Sequence, residues 1–517
     1  MNTFKRKALF TAVVAGLGAA GTAEAVYLSP NNMGQVLVYP YYTTNTLAGA
    51  SFNTYISVVN TTSRAKAVKV RVLEGKTSAE VLDFNLFLSP NDVWVAAIAP
   101  VDASSATAGA FLITPDVSCT NPPIPAAGVP FRQFQYATGD AALPGTGLDR
   151  TREGYIEMLE MGPLSGTWAT AVTHVSGVPA NCAVVQTTAA TPPSIGTPGG
   201  GLTGTGTLIN VNSGLDAGYK ADALDAWSNA SRYSPPDSIT PNLASAFPAS
   251  SLVMSTGALD AATGFSSSIV TIYRTDFGLV AVSGVTAGAR AVASVYMHTA
   301  VINEYILDTN TLSNTDWVIT QPLKNLFVSS TTAATPYSNV LTASGACELV
   351  SFTYFNREER GAAAGGTDFS PIPPGAAANT LCWESNVLSI RNPGAAHTTT
   401  PTTQSLVLGS FNLTNVNVTS GFQNGWATLA FTGGGASSSG MAGALATSDR
   451  AIVNSAVADF TITANTAVTF FGLPVTGFMV RTFRNNTPLP CAAGSTATCA
   501  NAYSSAFAHS YRTVIVP

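Results

Sequence analysis

The chain has 517 residues, of which 46% are hydrophobic but only 10% are charged, and its formal net charge is −5. Disordered proteins combine low hydrophobicity with high net charge, so this composition excludes that class. The acidic balance also lacks the positive footprint that nucleic-acid binding requires. The length is sufficient for more than one folded domain, because a domain takes roughly 150 residues.

The first 25 residues have the pattern of a secretory signal peptide. Lys5-Arg6-Lys7 precedes an apolar stretch over 8–20, and Ala23-Glu24-Ala25 fits the small-x-small cleavage rule. The alternative is an uncleaved N-terminal anchor, which is less favoured because the apolar stretch is shorter than the roughly 20 residues that a membrane-spanning helix needs. We therefore expect an exported protein whose mature chain begins at Val26. Its expected location is the cell surface or the extracellular space, and the periplasm is the alternative.

The region from 26 to 200 is rich in β-strand patterns and is predicted to form an N-terminal β domain. At 67–72, valines alternate with Lys69 and Arg71, which places the valines on one face of a strand and the bases on the other. Several such segments at short spacing are typical of an antiparallel sandwich. The predicted strands are 34–43, 55–59, 67–72, 81–88 and 93–98.

The segment 153–161 fits either a helix or a strand. In a helix, Glu153, Glu157 and Glu160 share one face, whereas in a strand Tyr155, Glu157 and Leu159 do.

Between 201 and 265 we expect a connector of loops and a short helix. The segment 187–206 is low in complexity and rich in Thr, Ala, Pro and Gly, as in a loop or linker. The segment 219–229 is the best helix candidate, because Ala221, Leu224 and Trp227 lie near helical spacing.

The β pattern returns in the region from 266 to 517, which is predicted to be a C-terminal β domain. The predicted strands are 269–274, 279–285, 291–297, 316–320, 349–355, 387–390, 406–413, 427–431, 456–462 and 467–471. The predicted fold is therefore mainly β, with two antiparallel β-sandwich-like domains, long loops and one or two short helices.

Six cysteines lie beyond the predicted signal peptide: Cys119, Cys182, Cys347, Cys382, Cys491 and Cys499. An even number in an exported chain indicates disulfides, although six cysteines allow about 15 pairings. Their distribution favours pairs of neighbours, namely 119–182, 347–382 and 491–499. Because no cysteines have CxxC spacing and the four histidines are scattered, we do not predict a zinc site.

Several segments of the chain together resemble a group of exported proteobacterial proteins usually labelled hypothetical or cell-surface protein. The segments are 26–30 (VYLSP), 34–42 (GQVLVYPYY), 57–62 (SVVNTT), 303–305 (NEY), 315–318 (TDWV), 356–359 (NREE) and 381–386 (LCWESN). The resemblance covers most of the mature chain. It implies a location and a class of protein, and it supplies no catalytic residues.

Two groups of charged residues are candidates for a ligand site. Glu153, Glu157 and Glu160 could supply the two carboxylates of a general acid–base pair, and the favoured alternative is a solvated edge or salt bridges with Arg150 and Arg152. Arg357, Glu358 and Glu359 belong to the densest charge run of the chain. They could bind a polar ligand or calcium at a loop end, and ion pairs at the end of a strand are the alternative.

The spacing of Asp308, Asn310 and Asp316 is superficially that of a calcium-binding loop. A true EF-hand loop requires further oxygen ligands, a glycine at position 6 and a glutamate at position 12. The chain has Ser313 and Ile319 at those positions, which excludes an EF-hand. An irregular calcium site and an ordinary Asp/Asn turn are the two remaining interpretations, and the turn is favoured.

Motifs for catalysis and phosphate binding are missing from the sequence. There is no Gly-x-Ser-x-Gly elbow and no Walker loop, and His174 lies in an apolar run typical of a structural histidine. Several aromatic residues could form a platform for sugar rings, but aromatics that alternate in strands are more often core residues. They are Tyr39, Tyr41, Tyr42, Trp94 and Trp227.

From these observations we expect an exported, non-enzymatic structural or interaction protein of the cell surface or extracellular space. Its expected partners are further copies of itself, other envelope components or a polysaccharide, and not nucleic acid. No cofactor is expected, apart from the calcium considered above. A secreted carbohydrate-binding module or hydrolase is the first alternative, and an outer-membrane β-barrel is the second.

Overall fold

A computed structural model describes most of the chain after the predicted signal peptide. The described residues are 26–47, 49–186, 195–211, 214–248, 252–255, 269–272, 287–363, 379–431, 444–447, 468–484, 489–490, 498–499, 502–513 and 515–516. The predicted signal peptide, the predicted strands 279–285 and 456–462, and Cys491 lie outside the described residues.

Strands dominate the described residues. Those of the first half are β1 (Tyr27–Leu28), β2 (Val36–Thr43), β3 (Thr46–Leu47), β4 (Ala50–Ser51), β5 (Asn53–Asn60), β6 (Lys66–Glu74), β7 (Glu80–Leu88), β8 (Val93–Pro100), β9 (Ala110–Ile113), β10 (Cys119–Asn121), β11 (Val129–Pro130), β12 (Glu153–Pro163), β13 (His174–Val175), β14 (Val178–Pro179), β15 (Leu202–Asn210), β16 (Leu215–Lys220) and β17 (Asp222–Asp225).

The strands of the second half are β18 (Leu252–Ser255), β19 (Ile269–Ile272), β20 (Met297–His298), β21 (Ala300–Ile306), β22 (Asn314–Thr320), β23 (Glu348–Asn356), β24 (Gly361–Ala363), β25 (Asn379–Leu381), β26 (Ser385–Arg391), β27 (Leu413–Asn417), β28 (Asn424–Ala430), β29 (Ala444–Thr447), β30 (Val468–Phe471), β31 (Leu473–Pro474), β32 (Thr476–Arg484), β33 (Leu489–Pro490), β34 (Thr498–Cys499), β35 (Ala502–Ala508), β36 (Ser510–Arg512) and β37 (Ile515–Val516).

The described helices are short. The α-helices are α1 (Gly166–Val172) and α2 (Ala287–Val295). The 3₁₀ turns are Phe134–Tyr136, Asp140–Ala142, Leu148–Arg152, Cys182–Val184, Leu243–Ser245, Lys324–Leu326 and Ala396–Thr398. Within the described part of the chain, no helix is long and apolar enough to cross a membrane.

The first half is a sandwich of two antiparallel sheets. The central sheet has the strand order β1-β17-β2-β12-β6-β7-β10, and the outer sheet has the order β11-β9-β8-β5-β15-β16. Val70 and Phe84 of the central sheet and Val58 and Trp94 of the outer sheet belong to one buried cluster. The five strands predicted over 34–98 are confirmed as β2, β5, β6, β7 and β8.

The central sheet is buried on both faces. Every residue of β2, β6 and β12 is buried. The face that carries Lys69 and Arg71 is covered by the segment 228–248, which approaches closely enough for Lys69 to donate a hydrogen bond to the carbonyl of Pro236 over 2.9 Å. The alternation at 67–72 therefore predicts the two faces correctly, although neither face meets solvent.

The second half is a further sandwich. Its inner sheet has the order β27-β26-β22-β32-β35, and its outer partner has the order β24-β23-β28-β21-β36. Trp317 and Leu388 of the inner sheet pack in one cluster with Phe352 and Leu429 of its partner. The β26–β27 ladder is parallel, while the other ladders of these two sheets are antiparallel. The prediction of a mainly β fold with antiparallel sheets is therefore confirmed.

The two halves share a buried core. Val318 and Phe478 of the second half belong to the same cluster as Leu37 of the first half. The ring of Phe478 stacks on that of Tyr219, with 4.5 Å between the ring centres and 15° between the planes. Apolar side chains of both halves are therefore removed from water together.

The helix predicted over 219–229 is wrong. The region forms β16 and β17 instead, and β17 pairs with β2 of the central sheet. Along β16, buried and exposed residues alternate strictly, which is the pattern of a strand with one buried face. The loop-and-helix connector predicted over 201–265 accordingly begins with three strands of the first half, β15, β16 and β17.

Two predicted strands of the second half are also wrong. Most of 291–297 belongs to α2, in which Ala289, Ala291, Val292 and Ala293 are all buried, as in a helix enclosed by the core. The segment 406–412 forms turns and loop, and strand β27 begins only at Leu413. The backbone N–H groups of Val407 and Leu408 donate to the Asp316 carboxylate, both over 2.9 Å, and so do not pair with another strand. The sequence of a short apolar run does not by itself distinguish a buried strand from a buried helix or turn.

Two disulfides join neighbouring cysteines, as the distribution along the chain predicts. Cys119 bonds Cys182, and Cys347 bonds Cys382. Disulfides persist in oxidising compartments and are rare in the cytosol. The covalent structure of the chain is therefore typical of an oxidising environment.

Candidate functional site

Two of the three predicted acid–base candidates, Glu157 and Glu160, are held by separate buried partners. Glu157 accepts a hydrogen bond from Arg71 over 2.6 Å, and Arg71 also contacts Glu80 over 2.7 Å. Glu160 contacts Lys66 over 2.5 Å and accepts the backbone N–H of Gly200 over 2.8 Å. Burial raises the pKa of both glutamates, while Arg71 and Lys66 oppose the shift.

The third candidate, Glu153, joins the two halves of the molecule. Its carboxylate accepts hydrogen bonds from the hydroxyls of Tyr41 and Ser410, over 2.7 and 2.6 Å. The backbone N–H groups of Phe411 and Asn412 also donate to it, over 3.1 and 3.2 Å. With four donors around it, this carboxylate acts as a structural connection between the halves.

The favoured alternative, a solvated edge or salt bridges with Arg150 and Arg152, is also wrong, because all three glutamates are buried and the two arginines bind other groups. Arg150 pairs with Glu74 over 2.7 Å, and Arg152 donates to the backbone carbonyls of Ser105 and Thr44. Strand order explains the difference, because β12 lies beside β6 and so meets the bases of that strand. The three glutamates are thus enclosed by fixed partners and do not meet in an open cleft.

The remaining sequence candidates lie apart from one another. The Nδ1 atom of His174 is 3.6 Å from Asp92, in a partly exposed position. Arg357, Glu358 and Glu359 are exposed in the turn that follows β23, where the backbone N–H of Glu358 donates to Asn356 over 3.1 Å. The structure brings neither group to the three glutamates.

The five aromatic candidates are core residues, which is the favoured interpretation, and they do not form a platform for sugar rings. Tyr39, Tyr41, Tyr42, Trp94 and Trp227 each have 0% exposure. Alternating aromatics in these strands fill the space between sheets and present no ring to a sugar. Among the described residues, the exposed aromatic at the centre of the outer sheet is Tyr55.

The three residues of the calcium hypothesis have different surroundings. The Asp308 carboxylate accepts the backbone N–H groups of Asn310 and Thr311, over 2.8 and 3.2 Å, which is an Asx turn. Asp316 is fully buried and binds the backbone at Val407 and Leu408. In the described ranges, no group of three or more His, Cys, Asp or Glu side chains is arranged to hold a metal ion.

The exposed face of the outer sheet is free of charged residues across its four adjacent strands β15, β5, β8 and β9. The aligned rows on this face are Thr203-Val59-Val93, Thr205-Ser57-Val95 and Thr207-Tyr55-Ala97-Ile113. Tyr55, Val93 and Val95 are 49%, 50% and 40% exposed. We call these three rows the uncharged face. A groove of about 570 Å³ runs along it, and β16 borders it with the exposed Asp216 and Lys220.

A second cavity lies where the two halves meet. It has a volume of about 250 Å³, and its wall combines the turn after β6 with residues 324–346 and the Cys382–Glu384 segment. Lys324 and Glu384 line it and are only 2% and 3% exposed. We call this cavity the interhalf cleft.

The interhalf cleft was not predicted from the sequence. In the sequence, Glu384 is a single acid that follows Cys382 and Trp383, and Lys324 is an isolated lysine in an uncharged stretch. No local pattern connects the two residues, because they approach each other only when β22 and β26 pair. The available sequence indication of a site was the acidic Glu384 two positions after Cys382.

Comparisons of the chain with protein-family models, with curated proteins and with solved structures found no match.

Proposed function

We propose that this chain is an exported, non-enzymatic protein of the cell surface or extracellular space that acts by binding other molecules, and that it binds through the uncharged face. The observation that carries the proposal is the exposed face of the outer sheet, with its three rows of apolar and hydroxyl side chains. The signal-peptide pattern and the two disulfides support export.

Burial of the uncharged face carries a small electrostatic cost. Removing an ion from water costs several kcal/mol, whereas this face holds only apolar groups and hydroxyls. Some of these hydroxyls already form hydrogen bonds with each other, since the hydroxyl oxygens of Ser57 and Thr205 are 2.9 Å apart. Extended exposed apolar patches mark interaction sites on soluble proteins.

The partner that we propose for this face is a second copy of the chain. Two such faces match each other chemically, because each offers apolar rows flanked by hydroxyls and neither brings a charge to the centre. The border strand β16 carries one acid, Asp216, and one base, Lys220. In a two-fold arrangement, these residues could face opposite charges at the rim of the contact.

The test is to place a charge on the uncharged face and measure assembly. Val95→Glu and Thr205→Glu are outward-facing changes, and Thr146→Glu at an exposed site outside the outer sheet is the matched control. Sedimentation of the purified mature chain should show assemblies for the wild type and the control. We expect the dissociation constant to rise at least about tenfold in the two face variants, corresponding to about 1.4 kcal/mol or more.

A wild-type chain that sediments as a single copy at all concentrations would contradict this partner. Face variants that assemble as well as the control would show that the contact lies elsewhere. Parallel fractionation of cells that express each variant would show whether loss of assembly releases the protein from the envelope. Retention of an unassembled variant by isolated envelope polysaccharide would overturn the second copy as the partner.

A further inference from the structure

The interhalf cleft has opposite charges on its wall. Lys324 lies in the turn after β22, and Glu384 immediately precedes β26. At the rim, the Asp140 carboxylate accepts the backbone N–H of Ser330 over 2.8 Å, so both halves also form the entrance. The disulfide at Cys382 and the apolar side chain of Leu341 complete the lining.

Both charged groups have unused hydrogen-bonding capacity. The Oε2 atom of Glu384 is buried and has no hydrogen-bond partner. The Lys324 ammonium has three donors, and it donates to the backbone carbonyl of Leu381 over 3.2 Å. A buried carboxylate oxygen without a donor is unfavourable by about 1–3 kcal/mol or more, so its presence in a protein calls for an explanation.

We propose that the interhalf cleft is a binding site for a small zwitterion of the free α-amino acid class. The ligand carboxylate would accept hydrogen bonds from the Lys324 ammonium, and the ligand ammonium would donate to Oε2 of Glu384. This inference goes beyond the proposed contact through the uncharged face, which lies on a different sheet.

Size and charge favour a zwitterion over simpler ligands. A volume of about 250 Å³ is roughly that of eight water molecules at about 30 Å³ each, which suits a small amino acid. An anion alone would satisfy Lys324 and leave the Glu384 oxygen without a donor. A cation alone would leave the Lys324 donors unused.

The rigidity of the cleft also suits a specific ligand. Ser78 lines the cleft with a φ of 55°, in the left-handed region that non-glycine residues rarely adopt. Its hydroxyl lies within hydrogen-bond distance of the Tyr155 hydroxyl, at 2.7 Å, and Tyr155 donates its proton to the carbonyl of Pro322 over 3.0 Å. Both halves therefore hold this wall in place before any ligand arrives.

Binding should be coupled to proton release. Burial raises the pKa of Glu384 to about 8, against the effect of Lys324, and burial lowers the pKa of Lys324 to about 8. Near neutral pH, Glu384 is therefore mostly protonated, and a ligand ammonium beside it favours the carboxylate. The other titratable groups that face this pair are Glu74, Glu348, Tyr155 and Tyr337, with Lys76 over the neighbouring Trp383 ring.

The experiment is isothermal titration of the mature chain with single amino acids. The probes are serine, leucine, glutamate and lysine, each with its N-acetyl derivative, which lacks the ammonium, and its amide, which lacks the carboxylate. We expect at least one free amino acid to bind at least tenfold more tightly than either derivative. Titration in buffers of different ionisation enthalpy should show a net release of protons for that ligand at neutral pH.

The variants Lys324→Met and Glu384→Gln each remove one titratable group with little change in volume. We expect each to weaken binding at least tenfold, and Glu384→Gln to abolish the proton release. Glu304→Gln is the matched control, because Glu304 lies outside the lining and its side chain is 72% exposed. Its affinity should stay within twofold of the wild type.

The proposal is overturned if no free amino acid binds to folded wild-type protein, or if the single-charge derivatives bind as tightly as the zwitterion. Equal losses of affinity in Glu304→Gln and Glu384→Gln would overturn the assigned contact. Thermal melts establish that each variant is folded, and Val95→Glu on the uncharged face should leave this binding unchanged.

Discussion

At the scale of single residues, buried carboxylates organise the backbone of this charge-poor chain. The clearest case is Glu74, which accepts hydrogen bonds from the backbone N–H groups of Lys76, Thr77 and Ala79 over 2.9, 2.8 and 3.2 Å. Arg150 binds the same carboxylate through two of its nitrogens, over 3.1 and 2.7 Å. The turn that forms one wall of the interhalf cleft is therefore built around one carboxylate.

We predict that Glu74→Gln destabilises the protein by about 3–5 kcal/mol, because it leaves Arg150 buried without its counter-charge. Burial alone would raise the pKa of Glu74, but Arg150 and the turn hydrogen bonds hold it below its ordinary value. Its stabilisation is therefore present above an unfolded pKa of about 4.3 and is lost as pH falls through the lower folded value. Urea unfolding at neutral and acidic pH measures both effects.

The control for this prediction is Glu304→Gln. Glu304 pairs with Arg481 over 3.4 Å, but its side chain is 72% exposed. Exposed pairs contribute little, so we expect no measurable change in the unfolding midpoint. If Glu74→Gln and Glu304→Gln lower the free energy of unfolding equally, burial does not strengthen the contribution of the Glu74–Arg150 pair, and the prediction is contradicted.

At the scale of elements, local alternation predicts the strands well where one apolar face is continuous. It fails where a short apolar run is compatible with either a buried strand or a buried helix, as in α2, whose residues 288–294 are all buried. It also does not predict how neighbouring elements are joined. His509 lies between β35 of the inner sheet and β36 of its partner sheet, at the point where the chain crosses from one to the other.

We predict that His509 makes the stability of this crossing depend on pH. Its Nε2 donates to the carbonyl of Val318 over 3.0 Å, so its Nδ1 accepts from the Asn303 amide over 3.0 Å. Burial lowers the pKa of His509 to about 4. The unfolded chain takes up this proton below about pH 6.5 while the folded chain does not, so stability falls by about 1.4 kcal/mol per pH unit between these values.

The measurement is a series of urea unfolding curves between about pH 7 and about pH 4.5 for the wild type and His509→Gln. The variant keeps a donor for Val318 but has no group that titrates in this range. Its stability at neutral pH should be lower and its pH dependence shallower by the contribution of one histidine. An unchanged slope would show that His509 does not carry this dependence.

At the scale of the whole molecule, the two halves are joined through apolar packing and hydrogen bonds. Phe478 stacks on Tyr219, and the Glu153 carboxylate of the first half binds Ser410 of the second. The interhalf cleft exists only because of this contact. Stability and the proposed ligand site therefore depend on the same junction.

We predict that Phe478→Ala destabilises both halves together, by about 3–5 kcal/mol, because it opens a cavity in the shared cluster. Hydrogen exchange read by mass spectrometry should show faster exchange in peptides from β6 and β12 as well as in β22. The matched control is Phe507→Ala on the same inner sheet, where the ring is 43% exposed. Faster exchange confined to the second half would contradict a shared cooperative unit and would favour independent domains.

Much of the local structure was predictable from the residues alone. The alternation at 67–72 correctly assigns the faces of β6, because the two-residue period of a strand is a local property. The cysteine distribution likewise indicates the two observed disulfides. The low charge predicts that most exposed positions are polar without being ionised.

The arrangement of the charged groups was decided only by the tertiary structure. Glu153 and Ser410 are 257 residues apart in the chain, and Lys66 and Glu160 are 94 apart. Which acid meets which base depends on strand order, and which aromatics are buried depends on how the sheets stack. The uncharged face and the interhalf cleft arise in the same way, because each combines residues from strands and turns that are distant in sequence. No short-range pattern encodes such contacts, since they are selected by the packing of the whole core.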